Sequence, residues 1–340
     1  MAELTCLEAL ATQSSRKLRQ NSSRRISMVK PIISQSRISM YQQCHYAHHL
    51  RYVERLKKKV PARPLIIGRA VHSILQAEAE GESDIYECLN IDMSKMFDEE
   101  KAVYQESIDT TRSIMNEYFN YYREEPIRYI RKNKRSAEHE VTVDFGDFSV
   151  IGIIDGFAKQ QRMKFLVEHK TASKAWDSKQ MWRNLQIAVY IKLAELAGYG
   201  KMDGVMFNFI LNKTPTKPQV LKSGKLSERA ILSLPYTVKS VIHENKLQEK
   251  DYTALIQNAY TSRAEYFNRV YIPINGQVID NIWNDFLMVA REIAAFPLRD
   301  KHVGFHCSWC QYEPICSAEL TNADVDFVIR NTYEKGGEKS

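Results

Sequence analysis

The chain has 340 residues, 44% hydrophobic and 26% charged, enough for one large soluble unit with a substantial core. No apolar run approaches the 18 or so residues of a membrane span, and Leu4–Ala11 is too short for a secretory leader and is broken by Glu8; a cytoplasmic chain with reduced thiols is expected. The net charge of +7 is modest, yet residues 1–60 hold twelve Lys/Arg against Glu3, Glu8 and Glu54, an excess larger than that of the whole chain. Such an end suits a polyanion, although it also suits plain solubility.

In chain order, residues 1–33 are rich in Ser, Arg and Gln and read as a mobile basic arm. Ile38, Tyr41, Cys44 or His45, His48 and Tyr52 recur at three- and four-residue steps, predicting a helix over 36–56 that Pro61 and Pro64 close. Gly68 opens a second helix carrying Val71, Ile74 and Leu75, and 95–132 reads as a long amphipathic helix rich in aromatics. A second basic stretch, Arg128 to Arg135, follows. Short β-rich runs then predict an antiparallel meander of Val141–Phe145, Phe148–Phe157 and Lys164–Lys170. A helix over Ser178–Ala197 ends at Gly198, and Val205–Leu211 reads as a strand. Residues 222–272 are mixed and charged, a possible insertion without assigned elements. The last helix expected is Val278–Ala295, stopped by Pro297, and 321–340 reads as a polar tail. The whole is an α/β chain with a single unit over 34–320. It lacks the G-x-x-x-x-G-K-[ST] phosphate loop, so no motor of its own is expected.

The most informative stretch is Gly152-Ile-Ile-Asp155, followed by Glu168-His-Lys170. Glu168 and Lys170 are two residues apart on one strand and share a face. A tight hairpin would bring Asp155 alongside them. Two carboxylates and an amine on one sheet face can serve phosphodiester hydrolysis: hard oxygens hold Mg²⁺ or Mn²⁺, and the amine orients water or steadies developing charge. A charged surface strand would carry the same letters. The apolar neighbours Ile153, Ile154, Phe165, Leu166 and Val167 argue instead for polar groups at the end of buried strands.

With these residues the chain resembles RecB-type nucleases of the PD-(D/E)xK superfamily. Gly68-Arg-Ala-Val-His72, Gly152-Ile-Ile-Asp155, Glu168-His-Lys170-Thr and Gln186-Ile-Ala-Val-Tyr190 follow in that family's order. The resemblance implies a small central mixed sheet flanked by helices. It makes His72, Asp155 and Glu168 metal ligands, with Lys170 the catalytic lysine and Gln186 and Tyr190 beside the active site. The side chain of His169 should point away, while its backbone carbonyl could join the metal. Glu138 and Glu140 are possible further ligands but read as structural.

Three of the six cysteines form Cys307-x2-Cys310-x5-Cys316, and a thiolate site usually takes four ligands. Cys44, Cys6 and Cys88 are candidates for the fourth. The Tyr41-Gln-Gln-Cys44-His-Tyr46 stretch and the downstream spacings resemble iron–sulfur nucleases, namely the AddB nuclease domain and CRISPR-associated adaptation exonucleases. That resemblance implies a [4Fe–4S] cluster on Cys44, Cys307, Cys310 and Cys316, joining the helical ends of the chain and shielded by Trp309, Tyr312 and Pro314. Zinc on the same thiolates, metal-free cysteines, or replacement of one ligand by His45 or His306 are the alternatives.

The implied function is a Mg²⁺- or Mn²⁺-dependent DNA exonuclease that processes ends in recombination, repair or replication. Tyr46, Trp176 and Trp182 are candidates for stacking on single-stranded bases, and a helicase, a recombinase or further copies of the chain are candidate partners. A non-catalytic DNA-binding scaffold would be expected to lose the acidic or lysine positions. A restriction-type, structure-specific endonuclease would not account for His72 and the cysteines.

Overall fold

Where the sequence alternates, strands form: β1 (Ile32–Ile33), β2 (Leu56–Lys58), β3 (Ala137–Asp144), β4 (Ser149–Gln160) and β5 (Met163–Ala172). The computed structural model describes residues 30–336 other than Lys95, Asn133, Ala175 and Trp176. Residues 1–29 of the expected arm and 337–340 of the expected tail lie outside that range. Strands β3, β4 and β5 form the antiparallel meander. β6 (Gly204–Leu211) runs parallel to β5 and is buried at every residue, as a strand covered on both faces must be. β7 (Phe267–Pro273) closes this side antiparallel to β6. Ile32 and Ile33, read as the end of the arm, instead pair with Ser149 and Val150, giving a six-stranded mixed sheet.

The register creates a fork. β3 follows one edge of β4, from Asp144 opposite Ser149 to Ala137 opposite Gly156. The other edge is shared by β1, at Ser149 and Val150, and β5, from Gly156 onward. Residues 151–155 therefore have no ladder partner on that edge. β5 from Glu168 onward pairs only with β6. The strands splay where Asp155 and Glu168 sit.

Helices cover the sheet. α1 (Gln35–Gln43) starts where the Ser34 hydroxyl accepts the Arg37 N–H, and α2 (His45–His48) continues past Cys44. α3 (Arg63–Glu80) begins five residues before Gly68, because Pro64 is pre-shaped for a first helical turn and does not stop the helix. α4 (Asp98–Tyr121) is shorter than the 95–132 expected, and Tyr129 instead bridges to Ala158. The helix expected over 178–197 is two: α5 (Ser178–Trp182) and α6 (Leu185–Leu196). Asn184 separates them by accepting the Ile187 N–H at 3.1 Å, a cap that restarts the helix. Residues 222–272 contain α7 (Pro235–Glu244) and α8 (Thr253–Tyr266), which bury Val238, Ile242, Leu255 and Ala259 against each other.

The main core lies between the sheet, α6 and α9 (Gly276–Ala295), with Ile154, Phe157, Leu166, Phe207, Ile191 and Phe286 at its centre. α3 and α4 pack with Ile210 as a second core. α9 is not the last helix: α10 (Glu313–Leu320) and α11 (Val325–Thr332) follow, then β8 (Tyr333–Lys335), antiparallel to β2. The expected polar tail is thus structured through Lys335. Tyr333 is buried, stacks on Tyr312 at 5.9 Å and donates to the Gln311 carbonyl at 2.5 Å. Among the described residues no helix is long and apolar enough to cross a membrane.

Candidate active site and cysteine cluster

The fork between β4 and β5 gathers the expected residues. The Asp155 carboxylate takes the place of a ladder partner: its Oδ2 accepts the His169 N–H at 2.6 Å. α3 carries His72 in from the side, with Nδ1 3.5 Å from Asp155 Oδ1. Glu168 is 1% exposed and its Oε1 lies 2.5 Å from the Lys170 ammonium. Lys170 donates onward to Gln186 Oε1 at 2.7 Å, and Gln186 Nε2 donates to the Tyr190 hydroxyl at 3.1 Å. The i, i+4 pair on α6 thereby holds the lysine from above. Gly152 lets α6 sit this close: a Cβ there would meet Leu193 Cδ1 at 2.7 Å and the Tyr190 ring at 3.0 Å.

Burial and charge set the protonation states. Burial opposes ionisation of Asp155, but His72 and the His169 N–H outweigh it and hold its pKa below the ordinary value. Burial, then the Asp155 charge, push Glu168 up to about 7 despite the Lys170 ammonium. Burial works against the His72 imidazolium, but Asp155 and Glu138 overcome it and raise the pKa to about 10. Burial takes His169 down to about 3, so its ring is neutral. That ring accepts from Asn208 Nδ2 at 2.9 Å and contacts the Tyr129 hydroxyl at 3.0 Å, while Asn208 also donates to Tyr118.

A divalent cation fits this donor set. Glu168 Oε2 is buried without a hydrogen-bond partner, and two carboxylates with opposed ionisation share one fork. Hard oxygens with one imidazole suit Mg²⁺ or Mn²⁺.

Glu138, read from the sequence as structural, lies beside His72. Its Oε1 lies 3.8 Å from His72 Nδ1, and ligand atoms of His72, Glu138 and Asp155 all fall within 4.8 Å of one another. Glu140, by contrast, is exposed. The buried polar set on the His169 side was also missed, although Asn208 stands out inside the apolar run Val205-Met-Phe-Asn-Phe-Ile-Leu211.

The cysteines lie where α1 and α2 meet the segment that leads into α10. Cys44 and Cys310 pack into a small core with Leu50, Leu56, Tyr312 and Ile315. Burial raises the pKa of the Cys310 and Cys316 thiols, and each also feels Cys44 and Cys307. Backbone N–H groups of Gly304 and Tyr312 donate to Cys307 and Cys310 Sγ, both at 3.4 Å. No three of these sulfurs lie within 4.8 Å of one another. Cys88 is exposed and Cys6 lies outside the described residues. Tyr312 is buried and donates to the Leu56 carbonyl at 2.7 Å, but Trp309 is 61% exposed and does not shield the thiols by burial. Of the stacking candidates, Tyr46 is tied to Glu319 under Lys301, Trp182 is 44% exposed beside Arg183, and Trp176 lies outside the described residues.

Comparison with known proteins adds a family. The sequence model of the PD-(D/E)XK nuclease superfamily matches residues 32–317. No curated protein sequence matches. Among solved structures, a provisionally named exonuclease from Eubacterium rectale is similar at 13% identity and TM-score 0.44, covering 88% of this chain and 97% of that one. A second, SSO0001, is similar at 11% identity and TM-score 0.28, covering 83% and 96%.

Proposed function

Because the chain belongs to the PD-(D/E)XK nuclease superfamily, we propose that it is a Mg²⁺- or Mn²⁺-dependent exonuclease acting on DNA ends in recombination, repair or replication. The observation that carries this reading is the unpartnered Glu168 Oε2, buried in a fork with Asp155, His72 and Lys170. In it Asp155, Glu168 and His72 hold the cation, joined by the His169 carbonyl. When bound, the ion supplies charge for the scissile phosphate and a lowered pKa for water. Lys170 acts between Glu168 and Gln186, a position from which an ammonium can orient water or meet developing negative charge. Tyr190 fixes Gln186 and, through it, the lysine rotamer. RecB-type resemblance in the four motifs supports the exonuclease assignment.

The same reading gives Cys44, Cys307, Cys310 and Cys316 a [4Fe–4S] cluster. The one-plus-three cysteine spacing, Cys44 and then Cys307-x2-Cys310-x5-Cys316, supports this assignment by its resemblance to iron–sulfur nucleases. The cluster would tie the junction of α1 and α2 to α10, acting as a loop-closing staple. Residues 1–29, with Arg16, Lys17, Arg19, Arg24 and Arg25, would grip the DNA backbone. A helicase or recombinase would supply opened ends. The test is incubation of end-labelled single- and double-stranded DNA with Mg²⁺ or Mn²⁺. Progressive loss from one end supports the reading; uncut DNA in both metals contradicts it.

A further inference from the structure

Strand alternation fails beside the active site. Ile154 and Phe157 both enter the main core although three positions separate them, so β4 turns over at Asp155 and Gly156. On the neighbouring strand Glu138, between the registered pairs Ala137–Gly156 and His139–Ile154, takes φ +49°. A non-glycine residue adopts this left-handed conformation at some cost, and such irregularities re-aim side chains next to functional sites. Here the result is a carboxylate, 25% exposed, aimed at His72.

Glu138, Asp155 and Glu168 converge on one fork, and Tyr190 feels all three. Lys170 already pairs with Glu168 Oε1. Glu138 Oε1, His72 Nδ1 and Asp155 Oδ1 form a three-donor group, and the unpartnered Glu168 Oε2 lies in the same fork.

We propose that Glu138 is a direct ligand of the divalent cation, completing a tripod with His72 and Asp155. The proposal rests on the cation-dependent nuclease reading and extends its ligand set. A carboxylate that merely oriented His72 would need only an accepting oxygen; a ligand needs its charge. The two roles separate by substitution. Glu138→Gln keeps an oxygen able to accept from His72 and removes the charge, whereas Glu138→Ala removes both.

Mn²⁺ binding to the full chain, measured by titration calorimetry and by the loss of the free-ion electron paramagnetic resonance signal, tests this. Glu138→Gln and Glu138→Ala should both weaken binding at least about tenfold, the scale seen even for outer-shell partners. Glu140→Gln, an exposed change on the same strand, should bind as the wild type does. The metal-induced rise in melting temperature should shrink in step, with circular dichroism confirming the fold of each variant. Wild-type affinity in Glu138→Gln, with binding lost in Asp155→Asn, would overturn the proposal while leaving the nuclease reading standing. No specific Mn²⁺ binding by the wild type would bring down both.

Discussion

Replacing Gly152 by alanine tests whether α6 presses on the site as closely as described. The added methyl would lie 2.7 Å from Leu193 Cδ1 and 3.0 and 3.1 Å from Tyr190 ring carbons. Ordinary carbon contacts are about 3.5–4.0 Å, so these groups must retreat by roughly half to one ångström. Leu193 is fully buried and has little room. Overpacking of this kind costs about 1–3 kcal/mol. For a chain of this size, with an unfolding entropy of about 0.7 kcal/mol/K, that lowers the melting temperature by roughly 1–4 °C. A comparable shift of the Tyr190 hydroxyl would stretch its 3.1 Å bond from Gln186 past bonding distance. Losing one bond of that kind, worth about 1 kcal/mol, predicts cleavage slowed roughly five- to tenfold. Mn²⁺ affinity should change little, because Asp155 is held separately by the His169 N–H. Scanning calorimetry and single-turnover cleavage of end-labelled DNA read both effects. The control is Gly276→Ala at the start of α9, where a Cβ meets nothing within 4 Å; it should be neutral or stabilise by up to about 1 kcal/mol. A Gly152→Ala protein with unchanged melting temperature and rate would refute the reasoning.

Three further outcomes are expected. Deleting residues 1–29 removes five of the twelve basic residues in the first sixty and should weaken duplex DNA binding, with a log–log salt slope shallower by up to about four; an unchanged slope would return the arm to a solubilising role. Purified without oxygen, the protein should be brown with about four irons per chain, and Cys316→Ser should lose the colour and melt earlier; a colourless zinc protein would contradict the cluster. Tyr333→Ala should destabilise by about 3–5 kcal/mol in denaturant titrations, because its ring stacks on Tyr312 and is buried; a neutral result would contradict the packing of β8.

The parts of the molecule legible in the sequence are those whose signal is local. Asp155, Glu168 and Lys170 could be paired because strand alternation and a short hairpin fix their relation within sixteen residues. Gln186 and Tyr190 followed from helical spacing. The structure brings them and His72 to one fork. What failed was either short or non-local. β8 and β2 are three residues each, and only their pairing across the chain makes them strands. Ile32–Ile33 gain strand character from β4 alone. Pro64 looked like a stop but serves as a helix start, a distinction that depends on which side the next apolar stripe lies. Glu138 could not be placed beside His72 from the sequence, because simple alternation gave no reason to expect a left-handed residue inside a strand. Its position depends on the turnover of β4 at Asp155, which no spacing in the sequence records.

Lys170→Ala gives the most direct test of the central claim. The variant keeps the carboxylates and removes the ammonium that sits between Glu168 and Gln186. Cleavage of end-labelled DNA in Mg²⁺ or Mn²⁺ should fall at least about a hundredfold, the scale of losing one preorganised charge-stabilising group, while DNA affinity measured by fluorescence anisotropy stays within about threefold. Retained cleavage at the wild-type rate would contradict the account.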